Sequence, residues 1–114
     1  MIKTVRYTIS QFDFELINHV KVIRTKKKLS QEQLSVKMGL ARSFVGNVEN
    51  INEKHKYSTR HLTLLAKAFN FKNMSDLLKF PTPKYDKIMV SVNQIFNESG
   101  TKMVSSEVLK IEEV

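Results

Sequence analysis

The sequence lacks several residue types and patterns that define whole classes of protein. It contains no cysteine, which excludes disulfide frameworks and thiolate metal sites. No apolar run approaches the roughly 20 residues that a transmembrane helix needs, and residues 1–10 lack the apolar core of a secretory signal. We therefore expect a soluble, cytoplasmic protein that does not associate with membranes.

Features of an enzyme are also missing. All three glycines are isolated, so no glycine-rich loop is available to hold a phosphate. The three histidines, His19, His55 and His61, are too scattered to suggest metal-ligand spacing. The acidic pair Glu112-Glu113 has the character of solvated charge. The sequence predicts no catalytic residues, no metal site and no cofactor.

Positive charge is plentiful and unevenly placed. The chain of 114 residues has a net charge of +8. Residues 1–80 carry 15 Lys and Arg against 6 Asp and Glu, a balance of +9, whereas residues 81–114 carry 4 against 5, a balance of −1. Such a concentration is typical of a protein that binds a polyanion, although a solvated surface explains the charge alone equally well.

The stretch Leu29–Asn50 predicts two short helices that meet across a tight turn. Ser30 is a good N-cap and Gln33, three residues later, completes a capping box. Gly39 is suited to ending the first helix because glycine adopts left-handed backbone angles without a steric clash. The apolar positions of the two helices are Leu34, Met38, Phe44, Val45 and Val48. An apolar stripe with short polar and basic side chains opposite is what a reader of the DNA major groove requires.

This stretch resembles the lambda-repressor and Cro-type helix-turn-helix family. The matching residues are Arg24, the Leu-Ser-Gln-Glu-Gln-Leu run at 29–34, Met38-Gly39, Arg42-Ser43, Glu49, Leu62, Leu65, Ala66, Phe69 and Leu77-Leu78. The resemblance extends from about Asp13 to Phe80 and implies a DNA-binding domain of five helices.

The resemblance places four residues at base-reading positions, namely Ala41, Arg42, Ser43 and Asn47. Their chemistry is consistent with that role. Arg42 can bond guanine as a fork, Asn47 can bond adenine, and Ala41 can pack on a thymine methyl group. Ser43 can serve either a base or a phosphate.

A second group of residues is expected to contact DNA phosphates. The resemblance places a phosphate at Gln31, and Ser30 begins the same helix, where outward backbone N–H groups favour an anion. The group comprises Ser30, Gln31, Asn50, Lys54, Lys56 and Tyr57. Ile51 departs from the family, which usually has glycine there, so we expect Asn50 to take the left-handed turn.

Two further features concern the positioning of the helices. The resemblance implies an ion pair between Arg24 and Glu49, in which the guanidinium fork matches the carboxylate and holds helix 3 against helix 1. Gly46 costs about 1 kcal/mol of helix stability relative to alanine. It allows a close approach either to DNA or to helix 2, and the sequence alone does not distinguish these.

Outside this stretch, composition predicts the remaining elements. Residues 1–10 alternate as a strand, and helix 1 is expected over residues 11–27 with Phe12, Leu16, Val20 and Ile23 facing the core. Helix 4 is expected to be capped by Ser58 or Thr59, and helix 5 by Ser75. Residues 81–114 are expected to form a β-rich extension, read as a hairpin and a candidate dimerisation element, although residues 85–96 also fit a helix. If the extension is a hairpin, the N-terminal strand is its obvious third partner, either within the chain or in a dimer. The expected fold is mainly α: an N-terminal strand (1–10), a five-helix domain (11–80) and this extension.

Two functions are consistent with these features of the sequence. The first is sequence-specific binding of double-stranded DNA by a homodimeric transcriptional regulator, acting as a repressor on a two-fold symmetric operator. The alternative is an antitoxin that also represses its own promoter and binds a protein partner through residues 81–114. Control of a restriction–modification system would use the same DNA chemistry.

Overall fold

The computed structural model describes all residues from 1 to 114 and divides into two compact units. One unit comprises residues 12–82, and the other comprises residues 1–11 together with 83–114. The helices are α1 (Gln11–Lys26), α2 (Gln31–Lys37), α3 (Phe44–Glu49), α4 (Thr59–Ala68) and α5 (Met74–Leu77). The strands are β1 (Ile2–Ser10), β2 (Lys87–Phe96) and β3 (Met103–Glu113). None of the helices has the length and apolar character needed to cross a bilayer.

The prediction of a mainly α protein is wrong. Helices account for 38% of the chain and strands for 26%, so a five-helix unit accompanies a substantial three-stranded antiparallel sheet. Strands make up a larger share of the chain than that fold class allows, because β1 pairs with β2 along its whole length as the third strand of the sheet. A hairpin alone is marginally stable, and a third strand together with an apolar face meets a requirement for a stable sheet.

The sheet has the order β1-β2-β3, with β2 in the centre. The β1–β2 register runs from Ile2 opposite Ile95 to Ser10 opposite Lys87. The segment 85–96, which fits both helix and strand by sequence, is strand from Lys87 onward. The alternating residues Ile88, Val90 and Val92 are buried.

The β2–β3 ladder contains two irregularities. Lys110 lies opposite Ser91 and Val108 lies opposite Val92, so Leu109 is an extra residue in β3. A second shift occurs between Ile95 and Phe96. A β-bulge of this kind changes which face the following side chains occupy.

The helical unit is built on one apolar cluster. Its buried members are Leu16, Val20, Leu34, Met38, Val45, Val48, Tyr57, Leu65, Ala66, Phe69 and Leu77. Phe12, which was expected in the core, is exposed and lies 5.8 Å from the ring of Phe80. At 3.6 residues per turn, Phe12 lies about 80° around the helix axis from Val20, so it leaves the buried stripe.

The helices begin and end close to the positions that the local sequence predicts, with two corrections. The capping box of Ser30 and Gln33 is present, and Ser58 caps α4. Helix α5 begins after Asn73 and not after Ser75.

The second correction concerns Asn50, whose φ is −86°, so it does not take the left-handed turn. Its side chain instead accepts a hydrogen bond from the backbone N–H of Asn52 at 3.0 Å. This side-chain turn redirects the chain without left-handed angles. Helix α1 ends at Lys26, as expected to within one residue, and Lys28 follows in the left-handed conformation at φ +58°.

Candidate nucleic-acid interface

The turn between α2 and α3 is held from inside by a serine. Ser35 is fully buried, and its hydroxyl accepts from the backbone N–H of Val45 at 3.0 Å and donates to the carbonyl of Gln31 at 2.9 Å. The backbone N–H of Leu40 also bonds to the Ser35 carbonyl. Sequence reasoning missed this residue; the available signal was a small hydroxyl beside Leu34 on the buried face of α2. The two helices are therefore joined by satisfied polar bonds as well as by packing.

One face of α3 packs on the core, and the opposite face does not. Val45 and Val48 are buried. Phe44 is half-buried, with its ring 6.0 Å from Tyr57 and 4.5 Å from His61. Residues 43, 47 and 50 follow the i, i+4, i+7 spacing of one helix face and lie opposite this packing.

The four expected base-reading residues lie at the start of α3. Ala41, Arg42 and Ser43 belong to the turn before the helix, which begins at Phe44, and all three are exposed. Ser43 occupies the N-cap position, yet its hydroxyl makes no capping hydrogen bond. Three of the four expected residues therefore come from the turn and one, Asn47, from the helix.

Two of these side chains are weakly held within the protein. The guanidinium of Arg42 lies 3.4 Å from the Glu32 carboxylate, and both groups are largely exposed. An exposed ion pair of this kind contributes between about 0 and 1 kcal/mol, so Arg42 can exchange Glu32 for another acceptor at little cost. The amide of half-buried Asn47 makes no side-chain hydrogen bond within the chain.

The expected phosphate-contacting residues fall into different environments. The Ser30 hydroxyl caps α2 by accepting from the backbone N–H of Gln33 at 3.0 Å. Gln31 donates its amide to Glu49 at 3.0 Å. Lys54 and Lys56 are exposed, and Lys56 Nζ lies 3.8 Å from an Asp13 carboxylate oxygen. The lysines and the exposed backbone beside them remain available to an anion.

Tyr57 does not belong to the phosphate group, which corrects the sequence prediction. Its side chain is in the core, its residue is 6% exposed, and its hydroxyl is buried without a hydrogen-bond partner. Burial raises the pKa of Tyr57 far above its usual value, the nearby Glu49 charge raises it further, and Arg24 opposes both. The ring packs against Phe44. This contact between residues that are distant in the sequence explains why Tyr57 is buried although its sequence neighbours are polar.

The ion pair expected between α1 and the end of α3 is formed with bidentate geometry. Arg24 Nε donates to Glu49 Oε2 at 3.1 Å, and Nη2 donates to Oε1 at 3.0 Å. A third guanidinium nitrogen, Nη1, donates to the Leu29 carbonyl at 2.8 Å. The Arg24 and Glu49 side chains are only 12% and 4% exposed, so the pair lies where water screens it poorly.

Gly46 faces α2. A Cβ atom at this position would lie 3.1 Å from Oε1 of Gln31. Within the protein, the close neighbour of Gly46 is therefore the Gln31 side chain of helix α2.

The charge of the helical unit suits the arrangement. Residues 12–82 carry 13 Lys and Arg against 6 Asp and Glu, a balance of +7. A positive unit with unsatisfied short polar side chains at the start of one helix can attract a polyanion and offer donors to base edges. The chemistry available is recognition, through hydrogen bonds and charge.

A family described as helix-turn-helix matches residues 20–77 of the chain. These residues begin within α1 and end with α5, and they contain α2 and α3. No curated protein matches the sequence.

Proposed function

Because the chain belongs to the lambda-repressor/Cro-type helix-turn-helix family, we propose that it recognises a specific double-stranded DNA sequence through the start of α3. The chain is a DNA-binding transcription regulator. The family is regulatory and generally not enzymatic. The proposal adds which residues read the bases, that two copies act together, and that binding represses transcription.

One observation carries the proposal: polar side chains without strong internal partners stand on a backbone that is held firmly. Ser43 and Asn47 make no side-chain hydrogen bonds within the chain, and Arg42 has only an exposed partner. The backbone beneath them is held by Ser35 and Glu49. Because side chains on rigid elements recognise a partner without reorganisation, this arrangement favours base reading over a purely electrostatic role.

Each reading residue has an assigned chemistry. Arg42 donates two hydrogen bonds to guanine, Asn47 bonds adenine, and Ala41 contacts a thymine methyl group. Ser43 serves a base or a phosphate.

The phosphate contacts are assigned to the remaining members of that group, namely Ser30, Gln31, Asn50, Lys54 and Lys56. Such contacts set register and affinity, and they do not distinguish sequences.

The homodimer follows from the size of the reading surface. Four residues at the start of one short helix cover only a few base pairs, and doubling on a two-fold symmetric site is the usual way to lengthen the recognised sequence. A dimer seated on such a site acts as a repressor when the site overlaps a promoter.

Site selection from a randomised DNA pool tests the proposal. Wild type should enrich a symmetric sequence, and Arg42→Ala should relax one position per half-site, losing about 1–3 kcal/mol of discrimination while the salt dependence changes little. Arg6→Ala, which removes an exposed arginine from β1, is the matched control and should select as wild type does. Enrichment of no sequence by wild type would contradict base reading.

A second candidate function is an antitoxin that also regulates its own promoter. The observation that favours it is the exposed apolar surface of β3, which includes Val104, Val108 and Leu109 and is of the kind that binds another protein. Purification of the chain from its native source would test this, because a stable complex with a second, small protein is expected.

A further inference from the structure

One carboxylate lies beside the guanidinium of Arg42, and it belongs to α2. Arg42 Nη1 is 3.4 Å from Oε1 of Glu32. Both side chains line a groove of about 440 Å³ on the exposed face of α2, together with Val36 and Lys37. The valine side chain is apolar and the lysine side chain is a cation, so neither can accept a hydrogen bond from Arg42.

The other polar side chains of this groove already have partners. The Ser30 hydroxyl accepts from the backbone N–H of Gln33 at 3.0 Å, and the Gln33 side-chain carbonyl accepts from the backbone N–H of Ser30 at 2.8 Å. These two bonds are the capping box of α2. Glu32 is the only carboxylate among the lining residues, and a charged acceptor binds a guanidinium more strongly than a neutral one. The groove therefore offers Arg42 one strong acceptor.

We propose that Glu32 is a positioning residue for Arg42, whose carboxylate holds Nη1 and so orients the guanidinium for guanine. The inference rests on the proposed function, in which Arg42 reads a base, and it adds a residue that determines specificity without touching DNA. A guanidinium carries five N–H donors. With Nη1 held by Glu32, the edge formed by Nε and Nη2 is free to donate to O6 and N7 of guanine. Guanine is then bound without breaking the ion pair.

The backbone of Glu32 is fixed relative to the start of α3. Glu32 lies in the first turn of α2, and the backbone N–H of Val45 in α3 donates to the hydroxyl of Ser35 in α2 at 3.0 Å. A long arginine side chain loses rotamer freedom when it binds, and a contact that already restricts Arg42 reduces this loss. Exclusion of water by bound DNA strengthens the attraction between the two charges.

Glu32 has two other effects that a test must separate from positioning. An acidic residue in the first turn stabilises a helix through its dipole, and a carboxylate near DNA repels the phosphates. Both effects act alike on every DNA sequence. The ratio of affinities for two sites that differ only at the base pair read by Arg42 is therefore insensitive to them, and it isolates the effect of Glu32 on Arg42.

Binding titrations with the full chain measure this ratio for the selected site and for the same site with A·T in place of G·C at the position that Arg42→Ala relaxes. Glu32→Gln keeps the length of the side chain and removes its charge, and it should lower the ratio roughly threefold to fivefold. In the Arg42→Ala variant, Glu32→Gln should leave the ratio unchanged, because Glu32 acts only through Arg42. Glu53→Gln is the matched control: it removes an exposed carboxylate whose partner is His55, and it should keep the wild-type ratio.

NMR relaxation of the Arg42 Nε–H group tests the same contact in the free protein. Its order parameter should be lower in Glu32→Gln than in wild type, and Glu53→Gln should match wild type. The proposal is overturned if Glu32→Gln leaves either the ratio or the order parameter unchanged, or if it changes the ratio equally in the Arg42→Ala variant. A wild type that selects no DNA sequence contradicts the proposed function, whereas a selective wild type whose ratio does not respond to Glu32→Gln contradicts this inference alone.

Discussion

The side-chain amide of Gln31 donates a 3.0 Å hydrogen bond to Oε1 of Glu49, the oxygen that also accepts from Arg24. One carboxylate therefore joins the start of α2, the end of α3 and the last turns of α1. All three helices that position the candidate reading residues depend on this group.

Removal of one member of the ion pair should destabilise the protein more than removal of both. Arg24→Met strands a carboxylate that is almost fully buried, and we expect the free energy of unfolding to fall by about 3 kcal/mol. The double variant Arg24→Met/Glu49→Leu should lose less. Urea denaturation measures both. Gln31→Ala should lower the free energy of unfolding by only about 1 kcal/mol, because Gln31 is exposed. A double variant Arg24→Met/Glu49→Leu that is less stable than Arg24→Met would contradict this account.

Gly46→Ala should have a small effect on its own and a larger, stabilising effect when Gln31 is shortened. Alanine favours the helix by about 1 kcal/mol, but its Cβ would lie 3.1 Å from Gln31 Oε1 and push that side chain from Glu49. In the Gln31→Ala variant, Gly46→Ala should raise the free energy of unfolding by the full value of about 1 kcal/mol. A double-mutant cycle in urea measures the coupling, and strict additivity would show that the contact does not matter.

Tyr57→Phe should stabilise the protein and leave its affinity for DNA unchanged. The variant removes a buried hydroxyl that has no hydrogen-bond partner, which should raise the free energy of unfolding by about 1 kcal/mol. Lys54→Ala is the contrasting variant: it should leave stability unchanged and weaken binding to all sequences. Weaker DNA binding by Tyr57→Phe would restore the tyrosine to the phosphate group.

The free energy of unfolding should fall as the pH drops below about 6.5, the usual pKa of a histidine side chain. His61 is one source of this effect. Its Nδ1 accepts from the backbone N–H of Ser58 at 2.9 Å, which requires an unprotonated nitrogen. Burial and the neighbouring Arg60 lower the pKa of His61. The unfolded chain therefore binds the proton more readily, so the stabilisation is complete above pH 6.5 and is lost on acidification.

His61→Gln should retain the capping box and reduce this pH dependence, measured by urea unfolding between about pH 5 and 7.5. Some dependence should persist, because burial and Lys26 also lower the pKa of His19. An unchanged pH profile in the variant would mean that His61 is not a source of the effect.

Local signals in the sequence were sufficient to predict much of the helical unit. The box of Ser30 and Gln33 and the α2–α3 turn at Gly39 depend on residues within one or two turns of each other. The family resemblance supplied the partner of Arg24, which lies 25 positions away.

Features that depend on distant contacts could not be predicted in the same way. Tyr57 lies in a polar, lysine-rich segment, and only the ring of Phe44 and the surrounding core explain its burial. The sequence predicts the three strands, but it leaves open whether β1 pairs with β2 of the same chain or of a second copy, because the entire helical unit separates the two strands. Ser35 was missed because its role depends on the backbone N–H of Val45, ten positions away, and a small hydroxyl beside Leu34 does not by itself identify that partner.

The pairing of β1 with β2 also has a consequence for folding kinetics. The two strands can meet only after residues 11–86 have been enclosed as a loop, and closing a flexible loop of that length costs roughly 4 kcal/mol of chain entropy. If the helical unit forms first, Gln11 and Asp86 no longer lie at the ends of a flexible chain, and this cost falls. We therefore expect the helices to fold in a fast phase and the sheet to close in a slower one, as contacts distant in sequence generally do.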